Sequence, residues 1–277
     1  MGDASPRTPM TFSDIIDLAE HGPDTWIGDS PPYTWGRIFG GQVVAQALWA
    51  ATRTVDTELR PHSLHAYFIR GGQPDEPVRF EVDRLRDGRS FSTRAVVARQ
   101  SGGAILHLSC SFQRDEEDAD VQTARMPLAT PADDIRTQSD NWPWIMERRA
   151  MHTYPGAGQA MGWVKLLDPL PDDPITHVCG LAFTSDTFQF SAARSIHPLQ
   201  LPEDEHRDAF MGASLDHSVW FHRPTRADEW HLYEWTCHGL RGARGMTVGN
   251  VFAPDGTHVA TVSQELLLRE RRPPTNR

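Results

Sequence analysis

The stretch that most constrains this chain runs from His62 to Gln113, HSLHAYFIRGGQPDEPVRFEVDRLRDGRSFSTRAVVARQSGGAILHLSCSFQ, and it reads as an antiparallel meander. In PVRFEV, period-two alternation puts Val78, Phe80 and Val82 on one face. In ILHLSCSF it does the same for Leu106, Leu108, Cys110 and Phe112. RDGRS and QSGG supply the Asp-Gly and Ser-Gly turns between the runs. Strands with one apolar face must cover something, and a helix precedes them. In FGGQVVAQALWAATRTV, Val44, Ala47, Leu48, Ala51 and Val55 recur at helical spacing and form one apolar stripe. Ala45, Ala50 and Ala51 keep that helix slim enough for a sheet to wrap it. A second, shorter helix is expected from Thr11 to His21.

A chain of 277 residues is long enough for two modest domains and a sizeable core. Its net charge of −10 argues against a nucleic-acid surface, which needs clustered Lys and Arg to neutralise phosphates. No apolar run approaches the roughly 20 residues of a membrane span. MGDASPRTPM lacks the basic and apolar regions of a secretory leader, although it formally fits a myristoylation pattern. PPTNR is not a peroxisomal address. Cys110, Cys179 and Cys237 are odd in number and widely spaced, which suits a reducing compartment and gives no metal-ligand spacing. Lys165 is the only lysine, so a Schiff base has one possible position. The expected location is cytoplasmic.

From Asp115 the pattern turns acidic and Pro-containing, RDEEDADVQTARMPLATPADD, as a solvated linker does. Beyond it the sequence reads as the first unit written again. LAFTSDTFQFSAARSIHP, from Leu181, can supply a second central helix. ASLDHSVWFHRP then parallels HSLHAYFIRGG, with Ser63-Leu64 against Ser214-Leu215, and Phe68 and Arg70 against Phe221 and Arg223. The offset of about 150 residues holds through the end strands, ILHLSCSFQ against HVATVSQELLL. A helix packed into a curled antiparallel sheet, made twice, is an α+β double hotdog whose sheets join edge to edge and so lose one exposed edge each. The expected organisation is an N-terminal unit over 1–115, a linker over 116–160 and a C-terminal unit over 161–277.

Several familiar sites are absent. There is no G-x-S-x-G elbow, no G-x-G-x-x-G, no P-loop and no H-E-x-x-H, so neither a metal nor a dinucleotide cofactor is expected. What remains is polar residues in strands that should be buried. Asp216 lies in SLDHSVW and Gln264 in VATVSQELLL. Buried polar groups are costly unless paired. Either residue could bond backbone at a strand end, or the two could converge on a water, the carboxylate as general base and the amide holding the water in line. Gly40 and Gly41 open the central helix, where free N–H groups point outward. They either make a tight turn or polarise a bound carbonyl. Phe68 and Trp220 suit core packing or the wall of an apolar pocket, and Arg89 and Arg244 suit solvent or phosphates.

RIFGGQVVAQAL, HSLHAYFIRGG, RLRDGRSFSTR, SFQ and SLDHSVWFHRP together resemble the acyl-CoA thioesterase II family, the bacterial TesB type with peroxisomal relatives. The resemblance runs from about Trp35 to Gln113 and from about Leu181 to Leu268. It implies a double hotdog, a homo-oligomer (dimer or tetramer), and hydrolysis of fatty acyl-CoA without metal or covalent acyl-enzyme. In that family an Asp, a Ser or Thr, and a Gln activate and position water. Carried over by position, the Asp falls on Asp216 and the Gln on Gln264. The hydroxyl falls at Cys237-His238, where the chain departs from the pattern. Thr236 with a small shift, His238 as a hydrogen-bonding substitute, or a degraded site that binds acyl-CoA without turnover are the alternatives. Cys237 as a nucleophile with His238 as base is disfavoured, because adjacent strand residues face opposite ways. A hydratase would need D-x-N-x-x-H at the central helix, where the chain reads FGGQVVAQ.

Overall fold

The computed structural model describes residues 10–135, 145–199, 201, 205 and 209–271. The expectations about the termini rest on residues 1–9 and 272–277, which lie outside the described residues.

The N-terminal half begins with α1 (Phe12–Ile16), β1 (Ala19–Glu20) and β2 (Thr25–Gly28), then α2 (Gly40–Thr52). The meander follows as β3 (Leu59–Phe68), β4 (Val78–Asp87), β5 (Phe91–Gln100) and β6 (Gly103–Arg114). The C-terminal half contains β7 (Met146–Ala150), β8 (Gln159–Leu166), α3 (Pro174–Thr184), α4 (Gln189–Ser195), β9 (Phe210–Ser214) and β10 (Asp216–Phe221). It closes with β11 (His231–Arg241), β12 (Arg244–Phe252) and β13 (His258–Glu270). Strand β7 falls inside the stretch expected as linker and pairs with β8, so the second sheet starts earlier than composition suggested. The first helix stops at Ile16, well before His21, after a capping box in which Thr11 and Asp14 satisfy each other's backbone.

The two halves share one strand permutation. Outward from the centre the first reads β3-β6-β5-β4-β2 and the second β10-β13-β12-β11-β8, with β9 also on β13. Strands β3 and β10 pair antiparallel, Leu64 opposite Val219, and fuse the halves into one sheet. The repeat extends to the backbone: Ile69 and Arg70 donate to Ile105 O, and His222 and Arg223 donate to Val259 O. This is the double hotdog, with both helices inside the curl of the sheet.

Leu106, Leu108, Cys110 and Phe112 face that interior, as alternation requires. Helix α2 is buried on nearly all sides rather than along a single stripe, because α3 packs where solvent was expected. Its two glutamines are therefore fully buried and need partners. Gln42 accepts from Tyr33 Oη at 2.7 Å and donates to Ser30 Oγ at 2.8 Å, while Gln46 donates to Ile15 O at 2.8 Å. Leu48 is fully buried, and Leu48→Ala should cost about 2–5 kcal/mol.

Candidate active site

The expected second helix does not run unbroken from Leu181. Helix α3 starts earlier, with Asp173 accepting from the Ile175 and Thr176 N–H groups and Pro174 in its first turn. It ends where Thr184 Oγ turns back to Gly180 O at 3.0 Å, a side-chain bond that competes with helix propagation. Phe188, at φ +67°, reverses the chain into α4. A bulky residue in the left-handed region marks a backbone held by its surroundings. Between the two helices the break presents Asp186.

The Asp186 carboxylate is buried yet lines a cleft of about 560 Å³. Its Oδ2 accepts the Gly41 N–H at 3.1 Å, across from the first turn of α2. Its Oδ1 accepts from Gln189 Nε2, from Gln264 Nε2 at 3.1 Å and from Ser214 Oγ at 3.3 Å. Burial pushes its pKa up to about 6 from 3.8, against the pull of those four donors. A carboxylate in that range is ionised at neutral pH and still basic enough to take a proton. The glycines make the approach possible. A Cβ on Gly40 would stand 2.5 Å from Asp186 Oδ2, and one on Gly41 would stand 2.1 Å from Phe183 O. Gly41 thus spends its amide on Asp186, whereas Gly40 lines the cleft.

Ser214 and Gln264 reach Asp186 through a bulge. Strand β9 pairs Ser214 with Leu266, but β10 pairs Ser218 with Ser263, a register one residue out of step. The extra residue at Leu215–Asp216 turns Ser214 and His217 to the same interior face, although they are three apart in sequence. Ser214 Oγ then lies 2.7 Å from Gln264 Nε2, and His217 Nδ1 lies 2.5 Å from Gln264 Oε1.

The same bulge places Asp216 on the other face. Its Oδ1 accepts the Glu265 N–H at 2.6 Å, so it serves the strand backbone and does not converge with the Gln264 side chain. Burial raises its pKa, with the Glu265 N–H pulling the other way. Thr236 and His238 are also apart from the site. Thr236 pairs with Val248 on β12, while Gln264 sits opposite Thr247 one strand further on. That separation is about 10 Å and the faces are opposite. His238 is exposed at the bulge between Cys237 and Gly239. The Cys237 thiol is buried, which pushes its pKa up and keeps it protonated. Phe68 lines the cleft, whereas Trp220 is outward against His65. Arg244 is paired with Glu265 at 2.7 Å, and Arg89 lies by a separate polar recess of about 620 Å³ on the N-terminal half.

The cleft lining holds four guanidinium groups, Arg37, Arg70, Arg148 and Arg194, against the single carboxylate of Asp186. Among the described residues no cluster of three or more His, Cys, Asp or Glu could hold a metal ion. No helix among the described residues is long and apolar enough to cross a membrane.

Residues 30–113 match the family described as the acyl-CoA thioesterase N-terminal domain, and residues 134–267 match the family described as acyl-CoA thioesterase. The chain belongs to the acyl-CoA thioesterase family. The human acyl-coenzyme A thioesterase 8 is 34% identical over 263 residues, covering 84% of this chain and 81% of that protein. Acyl-CoA thioesterase 2 of Haemophilus influenzae is 31% identical over 276 residues, covering 87% of this chain and 91% of that protein. The crystal structure of an acyl-CoA thioesterase II, TesB2, from Mycobacterium marinum superimposes with a TM-score of 0.80 at 38% identity, covering 94% of this chain and 98% of that one.

Around Asp186 the structure gathers Gln264 and the Gly40-Gly41 pair, which the sequence had singled out, although the Gly41 amide meets Asp186 in place of a bound carbonyl; Asp186 itself, Ser214, Gln189 and His217 were passed over. A signal for Asp186 was present. It is the one acid between Leu181 and Pro198, in a stretch read as able to supply the second central helix, where a carboxylate is costly without a purpose.

Proposed function

We propose that this family member hydrolyses acyl-CoA by direct attack of water on the thioester carbonyl, with Asp186 as the general base. The observation that carries the reading is a buried carboxylate with raised pKa, held by four donors at the edge of a cleft. A water beside Asp186 gives up a proton to the carboxylate as its oxygen bonds the carbonyl carbon. Gln264 Nε2 and Ser214 Oγ, both within reach of Asp186, hold that water in line. The carbonyl oxygen gains negative charge, and the first turn of α2, through the Gly40 N–H, faces it. Collapse of the tetrahedral adduct breaks the C–S bond. The proton held by Asp186 passes to the departing thiolate, which leaves as coenzyme A, and the free acid remains.

The charge of the cleft supports a CoA ester as substrate. In a chain of net charge −10, four arginines gather where phosphates would lie. Phe68, Phe188 and Phe190 offer an apolar wall for an acyl chain. We further infer a cytoplasmic homo-oligomer acting in fatty acid metabolism. Three free cysteines support the reducing compartment, and Tyr67 and Trp220, exposed on the outer face of the β3–β10 junction, support self-association.

The test is release of free thiol from a panel of short to long acyl-CoA esters, by the wild-type protein and by Asp186→Asn. Hydrolysis that drops at least ~100-fold in the variant is expected from loss of a general base. Binding of every ester with no thiol released by the wild type would overturn the reading and leave an acyl-CoA-binding protein.

A further inference from the structure

An amide has two ends of nearly equal shape, and Gln264 works in only one orientation. With Nε2 toward the cleft it donates to Asp186 and Ser214. Reversed, it would set an oxygen 3.1 Å from the Asp186 carboxylate, and the two would repel. Something behind the amide must decide between them. That side is occupied by His217, fully buried on β10, which takes no part in activating water. Its Nδ1 lies 2.5 Å from Gln264 Oε1 and its Nε2 lies 2.7 Å from Ser185 Oγ.

We propose that His217 is the positioning residue of this site: as the neutral Nδ1–H tautomer it donates to Gln264 Oε1 and locks the amide with its N–H groups toward Asp186. The inference deepens the water-activation reading and rests on it for its catalytic consequence.

The assignment follows from counting hydrogens. Burial pushes the His217 pKa down to about 4, so the ring carries one N–H whenever Asp186 is ionised. Gln264 Oε1 can only accept, whereas Ser185 Oγ can donate or accept. One proton therefore satisfies both contacts only when it sits on Nδ1 and Ser185 donates to Nε2. The other tautomer needs Ser185 Oγ to accept from the ring and send its hydrogen to Ala182 O, 2.8 Å away. It also turns the Gln264 amide over and leaves an oxygen against Asp186. That arrangement holds only when Asp186 itself carries a proton and has ceased to be a base. The ring of contacts closes through the chain, since Ser185 and Asp186 are neighbours. The hydrogen-bond partners of His217 are Ser185 and Gln264, so its imidazole is tied to the site at both nitrogens.

The experiment uses the full chain and thiol release from an acyl-CoA ester. His217→Leu should lower kcat by about 100-fold, the scale of losing one preorganised donor, with KM within about threefold of wild type. His217→Asn keeps an N–H close to the position of Nδ1 and should recover most of that loss. In a Gln264→Ala background, His217→Leu should cost almost nothing further, because its effect travels through the amide. Equal loss in the Leu and Asn variants, or a full further loss in the Gln264→Ala background, would overturn the proposal. Nitrogen-15 NMR of the wild-type imidazole supplies a readout that needs no variant to fold for the measurement itself. A protonated Nδ1 and bare Nε2 support the proposal, and the Nε2–H tautomer overturns it. An Asp186→Asn protein with full activity would instead sink the water-activation reading while leaving the tautomer result standing.

Discussion

The two halves of this protein repeat one strand order, yet their central helices begin and end differently. Helix α3 caps itself: Asp173 binds the Ile175 and Thr176 amides at its own N-terminus. Helix α2 has Phe39 at the same position and no side-chain cap, so its amides remain available. The Gly41 N–H is taken by Asp186 from the other half. At the far ends the contrast reverses. Helix α2 runs unbroken to Thr52, whereas α3 stops at Thr184 and restarts at Gln189, exposing Asp186 at the break. One repeat thus contributes open helix amides and the other contributes the carboxylate. A duplicated fold acquires one asymmetric site by breaking symmetry in both copies.

The largest test of that division compares two aspartates. Asp186→Asn should abolish at least ~99% of thiol release, because the base is lost. Asp216→Asn, which alters only a bond to the Glu265 N–H, should stay within a few-fold of wild type on the same ester panel. Comparable losses in both variants would break the comparison.

The next effect is on stability. Gly41→Ala puts a methyl 2.1 Å from the Phe183 carbonyl oxygen, where backbone packs on backbone and neither helix can yield cheaply. It should lose about 1–3 kcal/mol in denaturant unfolding, and activity with it. A variant as stable as wild type would mean that the α2–α3 contact is softer than the geometry implies.

The raised pKa of Asp186 gives a third effect, with a definite sign. The folded group holds its proton up to about pH 6, while the unfolded one loses it near 3.8. Its neutral form therefore favours the fold below about pH 4, and that contribution disappears as pH rises through 6. Relative to Asp186→Asn, wild-type stability should fall by roughly 1–3 kcal/mol between pH 4 and pH 7. In the same window kcat/KM should rise as the base ionises, with its acid limb near pH 6. Parallel stability curves for the two proteins would contradict the assignment.

Asp173→Ala is the smallest case. Loss of the α3 cap should cost about 1 kcal/mol, measured by thermal unfolding, while kcat is retained. A drop in kcat would show that the self-capped end also serves the site.

The sequence by itself determined the architecture. Period-two runs such as ILHLSCSF, the Asp-Gly and Ser-Gly turns and the alanine-rich helix are local patterns, and each found the face it was written for. The duplication was also legible, because two copies of a pattern need no coordinates to compare. Gln264 and the Gly40-Gly41 pair stood out for the same reason, as a polar residue in an apolar strand and as two residues without side chains.

Tertiary structure decided the rest of the candidate site. Strict alternation puts Ser214 and Asp216 on one face and His217 on the other, whereas Asp216 was matched to Gln264 by its position in SLDHSVW alone. A one-residue bulge, set by how two segments share the long strand β13, exchanges those faces. Thr236 and His238 matched by position along the chain, but β12 stands between their strand and Gln264. Asp186 lies in a stretch whose local pattern is helical. The amide it meets belongs to Gly41, 145 residues earlier in the chain. Local patterning records which side chains prefer the interior; it does not record which of them meet there, because that is fixed by long-range register and helix packing.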